Sequence, residues 1–113
     1  MAITKPIQVE VVRKKWYRGK GGDDSRLLCE SGQMCCIGFL ARRLGYKPRE
    51  IRDVSTLVDT EDYLKVDSFA YEQDSILCDC YEVNDDTAIS DATRERKLTA
   101  LGKKMGVRFT FVD

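Results

Sequence analysis

The reactive side chains of this 113-residue chain are five cysteines and nineteen carboxylates, with no histidine among them. Without an imidazole the commonest general base is missing, as are the Ser–His and Cys–His nucleophile pairs and every histidine-based metal site. The thiols stand at Cys29, Cys35, Cys36, Cys78 and Cys80. Their number is odd and two are adjacent, a poor basis for a disulfide scaffold, so reduced thiols behaving as small hydrophobes are expected. The alternative is a tetrathiolate zinc site drawn from Cys29, Cys35 or Cys36, Cys78 and Cys80. Its spacings, C-x5-C-C and C-x-C, fit badly with the C-x2-4-C pairs of such sites, and no metal or other cofactor is assigned.

Carboxylate groups such as Asp85 with Asp86, or Asp59 with Glu61 and Asp62, suit magnesium binding or acid–base work in principle. No nucleophile or second basic group stands at a telling spacing from them. They read as solvated or helix-capping residues, with Asn84-Asp85-Asp86 closing a turn, and no catalytic residue is assigned. The segment Arg18-Gly19-Lys20-Gly21-Gly22 completes neither G-x-x-x-x-G-K-S/T nor G-x-G-x-x-G, and its glycines suit a hairpin tip. A ligand-binding alternative seats a small anion, such as a nucleotide signal, on Arg18 and Lys20, with Trp16 or Tyr17 as a stacking platform.

Nineteen basic side chains balance the nineteen acids, but the two signs are segregated. Residues 1–52 hold twelve bases and five acids, residues 53–86 hold Lys65 alone against eleven acids, and residues 87–113 return to an excess of three bases. Such asymmetry concerns partners, not fold. The acidic stretch offers Asp59, Glu61, Asp62, Asp67, Glu72 and Asp74 as a surface for docking on a basic patch. Duplex nucleic acid is not an expected partner, since a balanced chain lacks the sustained cationic excess that counterion release rewards. No apolar run approaches the length of a membrane span, and the first six residues lack a charged-then-apolar leader.

The elements that must position these groups follow from periodicity. Ile7, Val9 and Val11 alternate with Gln8 and Glu10 as a first strand, and Leu27-Leu28-Cys29 is expected to pair back on it as a hairpin ended by Glu30-Ser31-Gly32. Cys36, Ile37, Leu40, Ala41 and Leu44 form a helical stripe, capped by Ser31 or Gly32 and stopped by Gly45, with a further helical turn at Pro48–Ile51. Gly38 inside that helix implies a close neighbour. Residues 53–73 show no sustained period. Asp74 or Ser75 opens a helix carrying Ile76, Leu77, Cys80 and Tyr81, with a strand over 76–83 as the alternative. Ser90 or Asp91 opens a last helix with Leu98, Leu101 and Met105 inward and Arg94, Glu95, Lys97 and Lys104 outward. Gly106 stops it, and Val107, Phe109 and Phe111 alternate as a closing strand that should pair inside the sheet. The expected fold is one compact α+β domain over 1–113: a small antiparallel sheet of about three strands, made of the N-terminal hairpin and the C-terminal strand, with three to four helices on one face.

Three stretches carry a resemblance. Trp16-Tyr17-Arg18-Gly19, Met34-Cys35-Cys36-Ile37-Gly38-Phe39 and Val83-Asn84-Asp85-Asp86, with a helix–strand close, resemble small, functionally uncharacterised bacteriophage and prophage proteins that read W-x-R-G, M-C-C-L-G and N-D. Ile37 stands where that group commonly has Leu, a change of no consequence for packing. The resemblance covers roughly residues 7–112 and implies a phage-type accessory protein of the bacterial host cytosol, with no catalytic residues to carry over. The expected function is stoichiometric binding to a host protein in host takeover or counter-defence, through the acidic 53–86 surface, rather than enzymatic turnover. The small-anion binder at Trp16–Gly22 is the alternative. A metal-dependent hydrolase or a zinc-stabilised module stands behind both.

Overall fold

A computed structural model describes residues 6–18, 26–60 and 72–113. Its sheet is a parallel pair, β1 (Ile7–Val12) and β2 (Val107–Val112), in register from Ile7 opposite Val107 to Val12 opposite Val112. Val9, Val11, Val107 and Phe109 are buried on one face, while Gln8, Glu10, Arg108 and Thr110 are exposed on the other. The alternation expected at both ends of the chain is therefore present. The antiparallel three-stranded sheet is not, because β1 and β2 are joined by a helical crossover, the connection that parallel pairing requires.

The N-terminal hairpin does not form, although Leu27 and Leu28 are buried. Their backbone groups find other partners: the Leu27 N–H donates to the Val54 carbonyl at 2.7 Å, and the Asp53 N–H donates to the Leu28 carbonyl at 2.8 Å. A single parallel bridge, Leu28 with Arg52, stands where the second strand was expected, and another joins Trp16 to Met34. Among the described residues β2 pairs with β1 alone, so it is an edge strand and not an interior one.

Four helices follow among the described residues: α1 (Cys36–Arg43), α2 (Pro48–Ile51), α3 (Asp74–Asp85) and α4 (Asp91–Lys104). α1 packs on β1, α4 on β2, and α3 on both helices. α4 starts as its sequence dictates, with the Ser90 hydroxyl accepting from the Thr93 N–H at 3.2 Å, and stops at Gly106, whose φ of 75° is left-handed. α3 resolves the helix-or-strand choice in favour of helix, and it continues through Asn84 and Asp85 where a turn was expected. α1 begins at Cys36, the first residue of its stripe, with Cys35 and not Ser31 or Gly32 at the N-cap position. The 53–73 stretch is described to Thr60 and includes a single 3-10 turn, Leu57–Asp59, anchored by the buried Leu57. No helix among the described residues is long and apolar enough to cross a membrane.

The close neighbour implied by Gly38 is the segment that failed to become a strand. A Cβ at Gly38 would lie 1.9 Å from the Leu27 carbonyl oxygen and 2.8 Å from the Met34 Cβ. Helix propensity alone makes Gly38→Ala stabilising by about 1 kcal/mol. The backbone collision reverses that sign, with an expected loss of about 3 kcal/mol in urea denaturation.

Candidate functional site

The three motif stretches, far apart in sequence, meet at one side chain. Asn84 is fully buried on α3, on the same stripe as Leu77 and Cys80. Its Oδ1 accepts from the Trp16 indole Nε1–H at 2.7 Å and from the Cys36 backbone N–H at 3.0 Å. Its Nδ2 donates to the Tyr17 carbonyl at 3.0 Å and to Asp85 Oδ1 at 3.0 Å. The Cys36 N–H is one of the orphan donors of the first turn of α1, so the helix is capped by a residue 48 positions away. Around this amide the 15–17 and 34–36 segments lie side by side. The Tyr17 N–H donates to the Met34 carbonyl at 2.7 Å, and the Met34 N–H to the Lys15 carbonyl at 2.8 Å.

Trp16 is 2% exposed, packed 4.9 Å from Phe111 between ring centroids, with the Arg18 guanidinium 4.7 Å over its ring. It is a core residue and offers no open ring face for a base. Tyr17 and Arg18 are half-buried, and Arg18 is held by Asp91 at 2.8 Å. Lys20 lies outside the described residues. A groove of about 550 Å³ beside them is lined by Lys14, Tyr17, Arg18, Gln33, Thr87 and Asp91 among others. Of its cations, Arg13, Arg18 and Arg94 are engaged within the chain, while Lys14 is exposed. Arg13 makes a two-pronged contact with Glu95 at 2.8 and 2.9 Å and another with Asp113 at 2.9 Å. Those hydrogen bonds, Glu95 first, hold the Arg13 pKa above its ordinary value.

Arg94, expected on the outside of α4, is 4% exposed. It donates to the carbonyls of Val83 and Asp86 at the end of α3 and to Asp91 Oδ1 at 2.6 Å. Unsatisfied C-terminal carbonyls and the negative end of the helix dipole draw a cation into this position. The clamp fixes the turn between α3 and α4.

Of the proposed partner-binding residues, Glu72 is exposed just before α3 and Asp74 is half-buried in its first turn, where a carboxylate complements the dipole. Asp59 ends the 3-10 turn, its side chain outside those described, and Glu61, Asp62 and Asp67 lie outside the described residues altogether. A groove of about 380 Å³ runs along α3 against the 55–56 loop, lined by Cys35, Ser55, Thr56, Tyr81, Glu82 and Asp85, with Asn84 at its back. The Tyr81 hydroxyl accepts from the Leu57 N–H at 2.9 Å, which pins the loop to the helix, and burial raises the Tyr81 pKa. Two carboxylates and three hydroxyls give this groove the chemistry to receive a cation.

The zinc alternative is not assembled. Among the described residues no three Cys, Asp or Glu side chains gather around a point that a metal ion could occupy. Cys35, Cys36 and Cys80 are buried, Cys29 is half-buried and Cys78 is exposed on α3. Burial pushes Cys35 and Cys80 up to about 12 and Cys36 well above its usual value. Desolvation and the nearby acids Asp74 and Asp79 raise Cys78 as well. A thiol at the start of α1 was a candidate for activation by the helix dipole, but desolvation wins at both Cys35 and Cys36.

Two residues stand differently from their sequence reading: Asn84, expected in a turn, and Arg94, expected outside, are both buried. Each stands on an apolar stripe, Leu77–Cys80–Asn84 on α3 and Arg94–Leu98–Met105 on α4. A polar group on a buried stripe is the signal that would have found them. No family model, no curated protein and no solved structure matches the chain.

Three outcomes follow from this interior. Asn84→Ala leaves the Trp16 and Cys36 donors without an acceptor, each costing about 1–3 kcal/mol, so urea denaturation should show a loss of about 3–5 kcal/mol. Trp16→Phe in the Asn84→Ala background should cost less than in the wild type, because the shared hydrogen bond is already gone. The buried thiols hold their protons more tightly folded than unfolded. Their contribution is complete below about pH 9 and is lost as pH rises through about 12. Stability should therefore fall above about pH 9, by at most about 1.4 kcal/mol per pH unit for each thiol, and Cys80→Ala should flatten the slope.

Proposed function

We propose that the protein acts by stoichiometric binding, not by turnover, as a phage-type accessory protein that docks its acidic face on a basic surface of a host component. Host takeover or counter-defence is the corresponding role. Two features support this reading. The motif residues that carry the resemblance are engaged in the interior: Trp16, Cys35, Cys36, Gly38 and Asn84 are all buried, and their polar groups are matched to one another. A buried, fully bonded set of this kind stabilises a fold and has no free valence for chemistry. What remains available is the surface.

The single observation that carries the reading is the charge of α3 and its approach. From residue 72 to residue 86 the chain has Glu72, Asp74, Asp79, Glu82, Asp85 and Asp86 and no lysine or arginine. Glu72, Asp79 and Glu82 are exposed, and the groove containing Ser55, Thr56, Glu82 and Asp85 lies alongside. One-signed surfaces steer an oppositely charged partner and reject others of like charge.

Affinity capture from bacterial lysate tests this, using wild type and a chain with Asp59→Asn, Glu61→Gln, Asp62→Asn, Asp67→Asn, Glu72→Gln and Asp74→Asn. The partner retained by wild type should be released at about 1 M salt, where charges are screened beyond about 3 Å. The neutralised chain should recover it at least about tenfold less well. Equal recovery by both chains would remove these six carboxylates from the contact.

A further inference from the structure

We propose that the shallow groove between α3 and α4 is the contact of a two-fold dimer, and that its occupant is a second copy of this chain. The groove has a volume of about 350 Å³ and an apolar floor of Val83, Ala100 and Leu101. Its walls differ in sign. Asp79 and Glu82 project from α3 on one side, and Lys97 and Lys104 from α4 on the other. All four charged residues are exposed, and Ala100 is exposed with them. Among the described residues no ion pair joins either acid to either lysine.

The contrast with the rest of the surface is informative. Arg13, Arg18 and Arg94 each meet a carboxylate of their own chain at 2.9 Å or less. The acids and lysines of this groove face each other across an apolar strip without closing on one another. A partner that satisfies all four must be acidic on one side and basic on the other, with apolar residues between. The chain itself has that pattern. The acids of α3 and the lysines of α4 are opposite walls of one groove. A half-turn about an axis running along the groove exchanges the walls. It brings Asp79 and Glu82 of each copy over Lys97 and Lys104 of the other, and lays the two apolar strips together. The contact is isologous, so every favourable pairing occurs twice. With α3 and α4 each about 20 Å long, the face is at the small end of specific interfaces, and the dimer is reversible and concentration-dependent.

Light scattering and sedimentation on the full chain, as a concentration series at about 0.1 M salt, test the proposal. Wild type should pass from monomer to dimer, and about 1 M salt should weaken that association. Asp79→Lys with Glu82→Lys places like charges opposite each other and should raise the dimer dissociation constant at least about tenfold. Lys97→Glu with Lys104→Glu should do the same. An equimolar mixture of the two reversed chains should dimerise again, because each contact then pairs opposite signs. Glu82→Gln with Lys97→Gln, which adds no repulsion, should dimerise more weakly than wild type. A wild type that stays monomeric throughout, or reversed chains that associate as well alone as mixed, would overturn the proposal. Lys97→Glu with Lys104→Glu leaves every carboxylate of the acidic face in place. Loss of the dimer in that variant with partner capture intact, or the reverse, separates this inference from the docking role of the acidic face.

Discussion

The amide of Asn84 is one planar group placed where three segments of backbone would otherwise meet with unmatched donors and acceptors. Its oxygen takes the indole N–H of Trp16 and the first N–H of α1, and its nitrogen reaches the Tyr17 carbonyl. Removing water from such groups is costly unless every one finds a partner, and among the described residues no buried side-chain N or O lacks one. The position of α3 is thus tied to the start of α1 and to the segment leaving β1. A leucine here would fill the space but match none of these groups. An aspartate would keep the acceptor, lose the donor to Tyr17 and bring a second charge beside Asp85. Asparagine is the side chain that supplies both.

The same logic extends to the other end of α3. Arg94 fills the place where the helix leaves carbonyls unsatisfied, and Asp91 fixes its guanidinium from within the same helix. One buried amide and one buried cation therefore locate α3, the first against α1 and β1 and the second against α4. Apolar packing supplies most of the driving force, but it is non-directional. These two polar contacts set register and orientation, which packing among Leu77, Cys80 and Leu98 alone specifies less sharply.

Elements with local causes were readable from the sequence. β1 and β2 declared themselves by alternation, α4 by Ser90 and Gly106, and the need for a neighbour at Gly38 by the cost of glycine in a helix. What was not readable was non-local. The direction of β1 relative to β2 depends on the crossover between them, and nothing within Ile7–Val12 or Val107–Val112 encodes it. Leu27 and Leu28 looked like a strand because burial in an irregular segment leaves the same apolar signature as burial in a short one. Asn84 was misread because Asn-Asp-Asp has the composition of a turn, whereas its spacing from Leu77 and Cys80 has the period of a helix. Of the candidate residues, Trp16 stood out by type, but its role as a buried donor depends on a partner 68 positions away.

α3 borders two grooves. Tyr81 and Asp85 face the groove with the 55–56 loop, Asp79 and Val83 face the groove with α4, and Glu82 lines both. A cation seated in the first groove would neutralise part of the charge that the second presents, and a copy docked in the second would do the same to the first. Such coupling is reciprocal by thermodynamic necessity: whatever weakens self-association on partner binding weakens partner binding on self-association by the same factor. Its size falls with ionic strength, because Glu82 is exposed and its field is screened within about one Debye length. Were the proposed partner and a second copy both to bind, the competition would pass through Glu82, the carboxylate the two grooves share, and would need no change of fold.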